Sequence, residues 1–226
     1  MALSSPTYPV ALVLRNRPCV VVGGGRVASR KVDGLLAAHA AVTVVAPDVL
    51  EEIATRPVRV ERRPYRSGEA GSYVLALAAT GVRDVDRRVA ADAERAGVPV
   101  NVADDPESCT FVLPAILRRG PVSVAVSSGG TSPALASWLR DRVAGLVGPD
   151  VALLAAVLGE ARASWRAAGR SSEDLAWRDL LDGPLPGLVA SGELDRARAA
   201  LATWAASHPP GAASRRAAAR TAPAAD

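Results

Sequence analysis

Three consecutive glycines near the start of the chain open the motif that is most clearly associated with a chemical role. The stretch GGGRVA (23–28) fits the pattern G-x-G-x-x-A. In that pattern the first glycine permits a tight turn, the second lets the backbone approach a pyrophosphate, and the small last residue lets a helix pack on a strand. Amides at the N-terminus of that helix then face the anion. We therefore predict a dinucleotide site at Gly23, Gly24 and Gly25; a glycine turn that serves packing alone is the alternative.

An acidic residue follows the next apolar run. The run VTVVAP (42–47) ends in Pro47, and Asp48 comes directly after it. Folds of this type carry a carboxylate near the end of the second strand, where it binds ribose hydroxyls. Asp48 comes two or three residues later than usual, so it is either the ribose acid or the cap of a turn or helix. The run contains no arginine, which favours NAD over NADP.

Polar residues also follow two later apolar runs. The run SYVLALAAT (72–80) ends in Thr80, and VPVNVAD (98–104) contains Asn101 and ends in Asp104. Ligands of open α/β sheets bind outside the carboxyl ends of the strands. We expect Thr80 to line the cofactor and Asn101 and Asp104 to meet a substrate, with the carboxylate as a general base. The alternatives are a strand-end hydroxyl at Thr80 and an Asx-capped turn after Asp104.

A second loop with glycines, SSGGTSP (127–133), precedes a predicted helix over 133–146. Small and hydroxylated residues ahead of a proline are typical of a loop whose backbone amides bind an anion. No buried strand and repeated strand–helix unit surround this loop as they surround the first one, so we do not predict a second nucleotide site. Ser132 and Pro133 instead predict the N-cap and first residue of the helix.

Strands and helices alternate around the first three groups of residues. Apolar runs predict strands at 18–22, 42–47, 58–65, 72–80 and 98–104. Helical spacing follows the glycine turn and recurs in a helix over 82–97, which Gly97 ends in a left-handed cap. The run 58–65 is more polar than the others, which places it nearer a sheet edge. This alternation predicts an α/β fold with a doubly wound parallel sheet, a Rossmann-like NAD-binding domain.

The pattern changes after Pro114. Residues 115–128 predict a short helix or turn followed by a strand, and the chain from Asp150 to about Ser207 is predicted to be helical with a break near 182–187. The last twenty residues are rich in proline, alanine and arginine and have no periodicity, which is typical of a disordered tail. We therefore predict an NAD-binding domain over 1–114, a connecting region over 115–150, a helical domain over 151–206 and a tail over 207–226.

The composition argues against several classes of protein. A formal net charge of +4 on 226 residues is too small to indicate a nucleic-acid partner. Two cysteines without CxxC spacing argue against a disulfide framework or structural zinc and favour a reducing compartment. The first apolar run stops at Arg15, too early for a signal peptide or membrane span. The two histidines, His39 and His208, lie outside any cluster with metal-ligand spacing. We expect a soluble, cytoplasmic protein with no structural metal.

Four segments in the same order resemble the precorrin-2 dehydrogenase/sirohydrochlorin ferrochelatase family, which forms the N-terminal module of siroheme synthases. No methyltransferase segment accompanies them, as in the stand-alone form of the family. The segments are YPVALVLRNRPCVVVGGGRVASRK (8–31), VLALAATGVRDVDRRV (74–89), VNVADDPESCTFVLPA (100–115) and VAVSSGGTSPALASWLR (124–140).

The resemblance implies an enzyme that removes hydrogen from precorrin-2 to give sirohydrochlorin, with a hydride passing to NAD and a proton to a base. Many members of the family also insert ferrous iron, as a second substrate, to make siroheme. The aspartate of the family's NV-x-D motif is the base in both steps, and it corresponds to Asp104. The adjacent Asp105 is the alternative carboxylate in this sequence.

The resemblance also implies the remaining site residues and a homodimer, with a dimerisation region over 115–150. The loop before the helix at 133 becomes a substrate-side loop, since the tetrapyrrole is ringed with carboxylates that its amides and hydroxyls can bind. The implied substrate residues are Asn101, Ser128, Gly129 and Thr131. Besides the three glycines, the implied cofactor contacts are Arg26, Val27, Pro47, Asp48, Thr80 and Val102.

Two other functions compete with this interpretation. A non-catalytic NAD(H)-sensing regulatory module would also open with a glycine turn in a doubly wound sheet, but it gives no reason for SSGGTSP (127–133) or NVAD (101–104). A metal-delivery protein that kept the fold but lost oxidation would not need an intact glycine turn.

Overall fold

A computed structural model describes residues 7–169 and 177–207 of the chain. Within them the regular elements alternate as predicted as far as residue 102, and one short helix that the sequence did not predict, α2, follows the second strand. The elements are β1 (Pro18–Val22), α1 (Arg26–Leu36), β2 (Ala41–Val45), α2 (Glu51–Ala54), β3 (Arg59–Glu61), β4 (Leu75–Ala78), α3 (Arg83–Arg95), β5 (Val100–Val102), β6 (Ala115–Arg119), β7 (Val122–Val126), α4 (Pro133–Ala144), α5 (Asp150–Ala167), α6 (Trp177–Leu181), α7 (Leu185–Ala190) and α8 (Leu194–Ser207).

Strands β1 to β5 form one parallel sheet in the order β3-β2-β1-β4-β5. The prediction of a doubly wound parallel sheet is therefore confirmed. The chain reverses its direction of travel across the sheet between β1 and β4, which is where ligands bind in folds of this kind. β3 lies at an edge, as its polar sequence predicted, and it is shorter than the predicted run 58–65.

The central strand β1 is buried on both faces, which explains its unbroken apolar sequence. Residues 19–22 are at most 1% exposed. Helix α1 packs on one face through Ala28, Val32 and Leu35, and helix α3 packs on the other through Val89 and Ala93. Burying apolar residues on both sides of a strand is the arrangement that parallel sheets require. Gly97 follows α3 with a φ of 68°, the left-handed cap that the sequence predicted.

The prediction for residues 115–119 was wrong, because these residues form strand β6 rather than a helix or turn. β6 pairs with β7 in a separate two-stranded sheet, and Gly120 and Pro121 connect the two strands. Gly120 has a φ of 55°, a conformation that the tight connection requires. The letters AILRR contain good helix formers, but pairing with the β-branched residues of β7 decides the structure.

The helices after Asp150 have a core of their own. Three tryptophans meet at its centre: the Trp165 ring centroid lies 5.0 Å from that of Trp177 and 6.2 Å from that of Trp204. Leu185 and Val189 of α7 are almost fully buried beside them. The predicted break in this region is confirmed, since α6 ends at Leu181 and α7 begins at Leu185. The predicted tail lies, beyond Ser207, outside the described residues.

By its internal contacts the chain divides into two compact units. One contains the residues up to Ala115 together with Val126–Ser137, and the other contains Ile116–Ala125 and the residues from Trp138 onward. The boundaries predicted at 114, 150 and 206 stay predictions. In the ranges 7–169 and 177–207, no helix is both long and apolar enough to cross a membrane.

A buried carboxylate fastens α3 to the loop after β3. Asp92 is 3% exposed, and its Oδ2 accepts hydrogen bonds from Tyr65 Oη at 3.0 Å and from the Gly68 amide at 2.7 Å. Its Oδ1 accepts one from Arg95 at 2.9 Å. Burial alone would raise the pKa of the Asp92 carboxyl, but the hydrogen bonds from Gly68, Arg95, Tyr65 and Ser67 outweigh it and lower the pKa.

We expect Asp92→Asn to destabilise the fold by about 2–3 kcal/mol at neutral pH, because an amide nitrogen would face donors that a carboxylate satisfies. A lowered carboxyl pKa stabilises the folded state above the unfolded value and loses that effect as the pH falls through the folded value. The difference from wild type should therefore shrink in strong acid. Urea unfolding at neutral and acid pH measures it. Glu94→Gln, an exposed carboxyl on the same helix, is the matched control and should change little.

Candidate active site

The glycine turn, Gly23–Gly25, connects β1 to α1 and is held against two neighbouring segments. Gly23 has a φ of 126°, and its amide donates to Val45 O at 2.9 Å. A side chain at Gly23 would collide with Ala79 O, and one at Gly24 would collide with Asp48 O. A Cβ added at Gly25 would meet nothing within 4 Å beyond the residues next to it in the chain. The first two glycines are therefore needed by the backbone, whereas the third keeps open the space in front of the helix.

A groove of about 630 Å³ lies outside the carboxyl ends of the strands, next to the glycine turn. We call it the cofactor groove. Its volume is in the range usual for small-molecule sites. Of the nine residues predicted to bind the cofactor, six line this groove, whereas Arg26, Val27 and Val102 do not. The predicted ones are Gly23, Gly24, Gly25, Pro47, Asp48 and Thr80; the lining residues not predicted are Val22, Val45, Ala46, Val49, Leu50, Arg62, Pro64, Tyr65, Val82, Val85 and Arg88.

The charges around the cofactor groove suit a ligand with phosphates. The N-terminus of α1, with Gly25 at the N-cap, carries no acidic residue in its first turn. No side chain caps the helix at Gly25, which lines the groove, so the positive end of the helix dipole lies next to this space without a competing carboxylate. Arg62 and Arg88 line it as cations, against Asp48 as the acid. Asp48 lies at the loop after β2, where a ribose hydroxyl is bound in this fold. The residues present thus fit a dinucleotide.

Thr80 lines the groove, but its hydroxyl is already engaged. Thr80 Oγ1 lies 2.8 Å from Asp86 Oδ1, and the Thr80 amide donates to the same oxygen at 3.0 Å. The Val82 amide in turn donates to Thr80 Oγ1 at 3.0 Å. Asp86 is 6% exposed and fastens the turn between β4 and α3. Thr80 therefore shapes the groove wall through its backbone and methyl group.

Asp104 and Thr80 follow two neighbouring strands at the carboxyl end of the sheet. Ala78 of β4 is paired with Val102 of β5, and the Ala103 amide donates to Ala78 O at 2.9 Å. Thr80 and Asp104 each follow two residues beyond that last pair. Asp104 is exposed and has a φ of 59°, which is uncommon for a residue other than glycine. Aspartate adopts this conformation more readily than most residues, and Asn16 and His39 share it in this chain.

The structure separates the two adjacent carboxylates. Asp105 is partly buried, accepts a hydrogen bond from Ser108 Oγ at 2.9 Å and lies 3.7 Å from Arg87. Among the described residues, no hydrogen bond or ion pair engages the side chain of Asp104. Asp105 thus closes its own turn, and Asp104 is the carboxylate free to meet a ligand.

The segment 103–110, here called the acid loop, is tied to β5 at its base. Thr110 exchanges two hydrogen bonds with Val100: its amide donates to Val100 O at 2.9 Å, and its Oγ1 accepts from the Val100 amide at 2.8 Å. The Val102 amide donates to Cys109 Sγ at 3.1 Å. Burial raises the pKa of the Cys109 thiol, so it stays neutral. The two ends of the acid loop are therefore fixed.

Asn101, predicted to contact substrate, is 8% exposed, and its amide is committed inside the protein. Its Nδ2 donates to Phe111 O at 3.1 Å, and its Oδ1 accepts from Lys31 Nζ at 2.6 Å. Its role toward a substrate stays a prediction. Val102, predicted to contact the cofactor, is 4% exposed and packs in the core.

Lys31 of α1 is a residue of this site that sequence reasoning missed. Burial lowers the pKa of its ammonium, while the nearby Cys109, Asp104 and Asp86 oppose that effect and Arg30 adds to it. Nothing local in the letters SRKVD (29–33) marks this lysine, because its partner Asn101 lies seventy positions away. Only the fold brings the two together.

The serine loop, residues 127–132, is closed by its own hydroxyls. Ser128 Oγ donates to Ser132 O at 2.9 Å and accepts from the Ser132 amide at 3.0 Å. Ser132 Oγ accepts from the Leu135 amide at 3.2 Å, which confirms Ser132 as the N-cap of α4. Gly129 has a φ of 61°. Gly129 and Thr131 are exposed and Ser128 is partly buried; the binding role predicted for these three residues stays a prediction.

Comparison with known proteins finds similarity to proteins of siroheme biosynthesis. Residues 10–115 match a putative NAD(P)-binding family, and residues 119–146 match the central segment of sirohaem biosynthesis proteins. The siroheme synthase of Methylobacillus flagellatus is 39% identical over 201 residues, which are 86% of this chain and 43% of that protein. That of Nitrosomonas europaea is 41% identical over 191 residues, which are 81% and 40% of the two chains. The chain thus spans about two fifths of the length of these relatives.

A solved structure agrees with the sequence relatives. SirC, a precorrin-2 dehydrogenase, matches with a TM-score of 0.62 and 28% identity over 78% of this chain and 88% of its own. The sheet, the glycine turn and the cofactor groove define an NAD(P)-binding domain of the Rossmann type. The chain carries, in this order, segments that match the NAD(P)-binding model and the model of the central segment of sirohaem biosynthesis proteins. The family resemblance drawn from the four sequence segments is thereby confirmed.

Proposed function

We propose that the protein is an NAD-dependent dehydrogenase that oxidises precorrin-2 to sirohydrochlorin. The observation that carries the proposal is that two features lie at the carboxyl end of the same sheet. A groove with free helix amides and two arginines suits the cofactor, and an unengaged carboxylate, Asp104, lies on the neighbouring strand end. The similarity to a precorrin-2 dehydrogenase over most of both chains supports the choice of substrate.

The oxidation removes two electrons and two protons from precorrin-2. Both electrons and one proton leave together as a hydride, and a base takes the other proton. Bound NAD supplies the acceptor of one hydride, so the products are sirohydrochlorin, NADH and one proton. In our proposal Asp104 accepts that proton from the macrocycle, because its carboxylate is exposed and no described neighbour competes for its oxygens. Gly23–Gly25 and the N-terminus of α1 bind the pyrophosphate, and Asp48 binds the ribose. Arg26, Val27, Pro47, Thr80 and Val102 are proposed as further contacts with the cofactor.

We further propose that the serine loop binds the acidic side chains of the tetrapyrrole. Two left-handed glycines, Gly129 and Gly130, lie in this loop beside the exposed Thr131, and loops of this backbone type can form concave sites for anions. Ser128, Thr131 and Asn101 complete the proposed substrate contacts. We also propose a cytoplasmic homodimer, with residues 115–150 as the dimer region. Exposed Trp138 and Leu139 of α4 support an interface there.

Iron insertion is the second activity that we propose for the same site. Chelation releases two pyrrole protons, and Asp104 is available to accept them one after the other as it accepts the single proton of the oxidation. Ferrous iron is then a substrate. No group of three or more His, Cys, Asp or Glu side chains in the described ranges is arranged to hold a resident metal ion.

The test is an anaerobic incubation of the protein with precorrin-2 and NAD, followed by the absorbance of the macrocycle and of NADH. We expect both to change together, one NADH for each sirohydrochlorin. NAD binding with no oxidation would favour a sensing module instead. Ferrous iron added afterwards tests chelation separately, since siroheme has its own spectrum. NADH formation without siroheme would reject iron insertion and leave the dehydrogenase in place.

A further inference from the structure

The side chain of Lys31 can join helix α1, which follows the glycine turn and is here called the cofactor helix, to the acid loop. Lys31 is the sixth residue of α1, whose first residues adjoin the glycine turn. Side chains of a helix lean toward its N-terminus, so the lysine stem runs back toward the sheet edge that carries the site. Its Nζ ends 2.6 Å from Asn101 Oδ1 on β5, the last strand of the sheet.

The partners of Asn101 fix the orientation of its amide. Lysine can only donate and the carbonyl of Phe111 can only accept, so Oδ1 must face Lys31 and Nδ2 must face Phe111. Phe111 follows the acid loop directly, and Asn101 precedes it by two residues. A single amide, held by Lys31, therefore connects both ends of the segment on which Asp104 sits.

We propose that Lys31 is a positioning residue that holds the acid loop at a fixed place relative to the cofactor helix, so that Asp104 meets the substrate beside the cofactor. The proposal rests on the proposed function for the role of Asp104. It assigns Lys31 no contact with the substrate. Its protonated form is the one that acts, because an ammonium makes a stronger, charge-assisted hydrogen bond to Asn101 than a neutral amine.

The charges around Lys31 give the proposal a pH signature. Arg30 lies beside it on α1, Asp86 faces it from α3, and Asp104 and Cys109 face it from the acid loop. Burial, the largest influence, lowers the pKa of Lys31. The protonated form is present below that pKa and is lost as the pH rises through it. As the pH is raised, activity should therefore begin to fall at a lower pH than it would if Lys31 had the pKa of an exposed lysine.

The decisive experiment compares Lys31→Met and Lys31→Arg with wild type. We expect Lys31→Met to lower kcat of the oxidation roughly 10–100-fold, the scale of a small misplacement of a catalytic group, with NAD affinity unchanged. Lys31→Arg keeps the charge at all working pH values, so it should restore most of kcat and remove the alkaline decline. Arg30→Met removes an exposed cation from the same helix and should leave kcat as in wild type. Because Arg30 lowers the pKa of Lys31, this variant should move the alkaline decline to higher pH.

A measurement without turnover separates this proposal from the proposed function. In the full chain labelled with ¹⁵N, the Asn101 side-chain amide resonance should move as Lys31 titrates, and the movement should be absent in Lys31→Arg. A resonance that stays still across the alkaline range would overturn the link between Lys31 and Asn101. If the link is seen but wild type never oxidises precorrin-2, the proposed function fails instead. Full kcat in Lys31→Met with intact folding would also overturn the proposal.

Discussion

Asp104→Asn should abolish most of the oxidation and leave cofactor binding intact. Removing a general base typically costs 10²–10⁴-fold in rate, and we expect a loss of kcat of about that size. Asparagine has the same shape and tolerates the left-handed backbone that Asp104 adopts, with a φ of 59°. The substitution therefore removes a proton acceptor without forcing the acid loop to change. Single-turnover formation of NADH measures the rate, and titration with NAD measures binding.

The neighbouring carboxylate provides the matched control. Asp105→Asn removes the negative charge that faces Arg87 and replaces the charge-assisted hydrogen bond from Ser108 with a weaker, neutral one. We expect it to lower stability and to change kcat far less than Asp104→Asn does. If Asp105→Asn is the inactive variant and Asp104→Asn keeps the wild-type rate, the base is Asp105 and our assignment is wrong. If both variants stay active, neither carboxylate is the base.

The second large effect is expected at Gly25. Apart from the residues next to it in the chain, an added Cβ there meets no atom within 4 Å, and Gly25 is exposed, so we expect Gly25→Ala and Gly25→Val to fold. The added methyl groups would stand in the space that a pyrophosphate must enter to reach the helix amides. We expect the Kd for NAD to rise about tenfold or more in the alanine variant, which is about 1.4 kcal/mol, and further in the valine variant. Titration of NAD against each folded variant measures both.

Substitutions at two other glycines serve as controls for the loss of NAD affinity expected at Gly25. Gly34 lies exposed in α1, also with nothing within 4 Å of its added carbon. Gly34→Ala should leave NAD affinity unchanged and raise stability by about 0.5–1 kcal/mol. Gly24→Ala should damage the fold itself, because the added carbon would collide with the Asp48 carbonyl. If folded Gly25→Val bound NAD as tightly as wild type, the pyrophosphate would not bind at the glycine turn and our assignment would be wrong.

The sequence alone was enough to predict the parts of the fold that depend on local patterns. Five apolar runs, a glycine turn and a glycine cap at Gly97 correspond to five parallel strands, the start of α1 and the end of α3. Ser132 and Pro133 correspond to the start of α4. Each of these features is determined by a residue and its immediate neighbours, which a sequence displays directly.

Features that depend on distant pairing could not be predicted in the same way. β6 is a strand because β7 pairs with it, and five letters with helical propensity cannot show that partner. Arg62 lines the cofactor groove because β3 ends beside β2. Lys31 belongs to the site because its side chain reaches Asn101 on β5. The commitment of Asp105 to Ser108 and Arg87, which distinguishes it from Asp104, is likewise a matter of side-chain geometry.

The acid loop has a consequence for the solubility of the protein. β5 is an edge strand, and its outward amides and carbonyls would be open to a strand of another molecule. Instead Thr110 pairs with both outward groups of Val100, and Cys109 Sγ contacts both outward groups of Val102. The other edge, β3, is three residues long and carries Arg59 and Glu61. The segment that presents Asp104 therefore also protects the sheet from edge-to-edge aggregation, so mutations that loosen it should first appear as poor recovery of soluble protein.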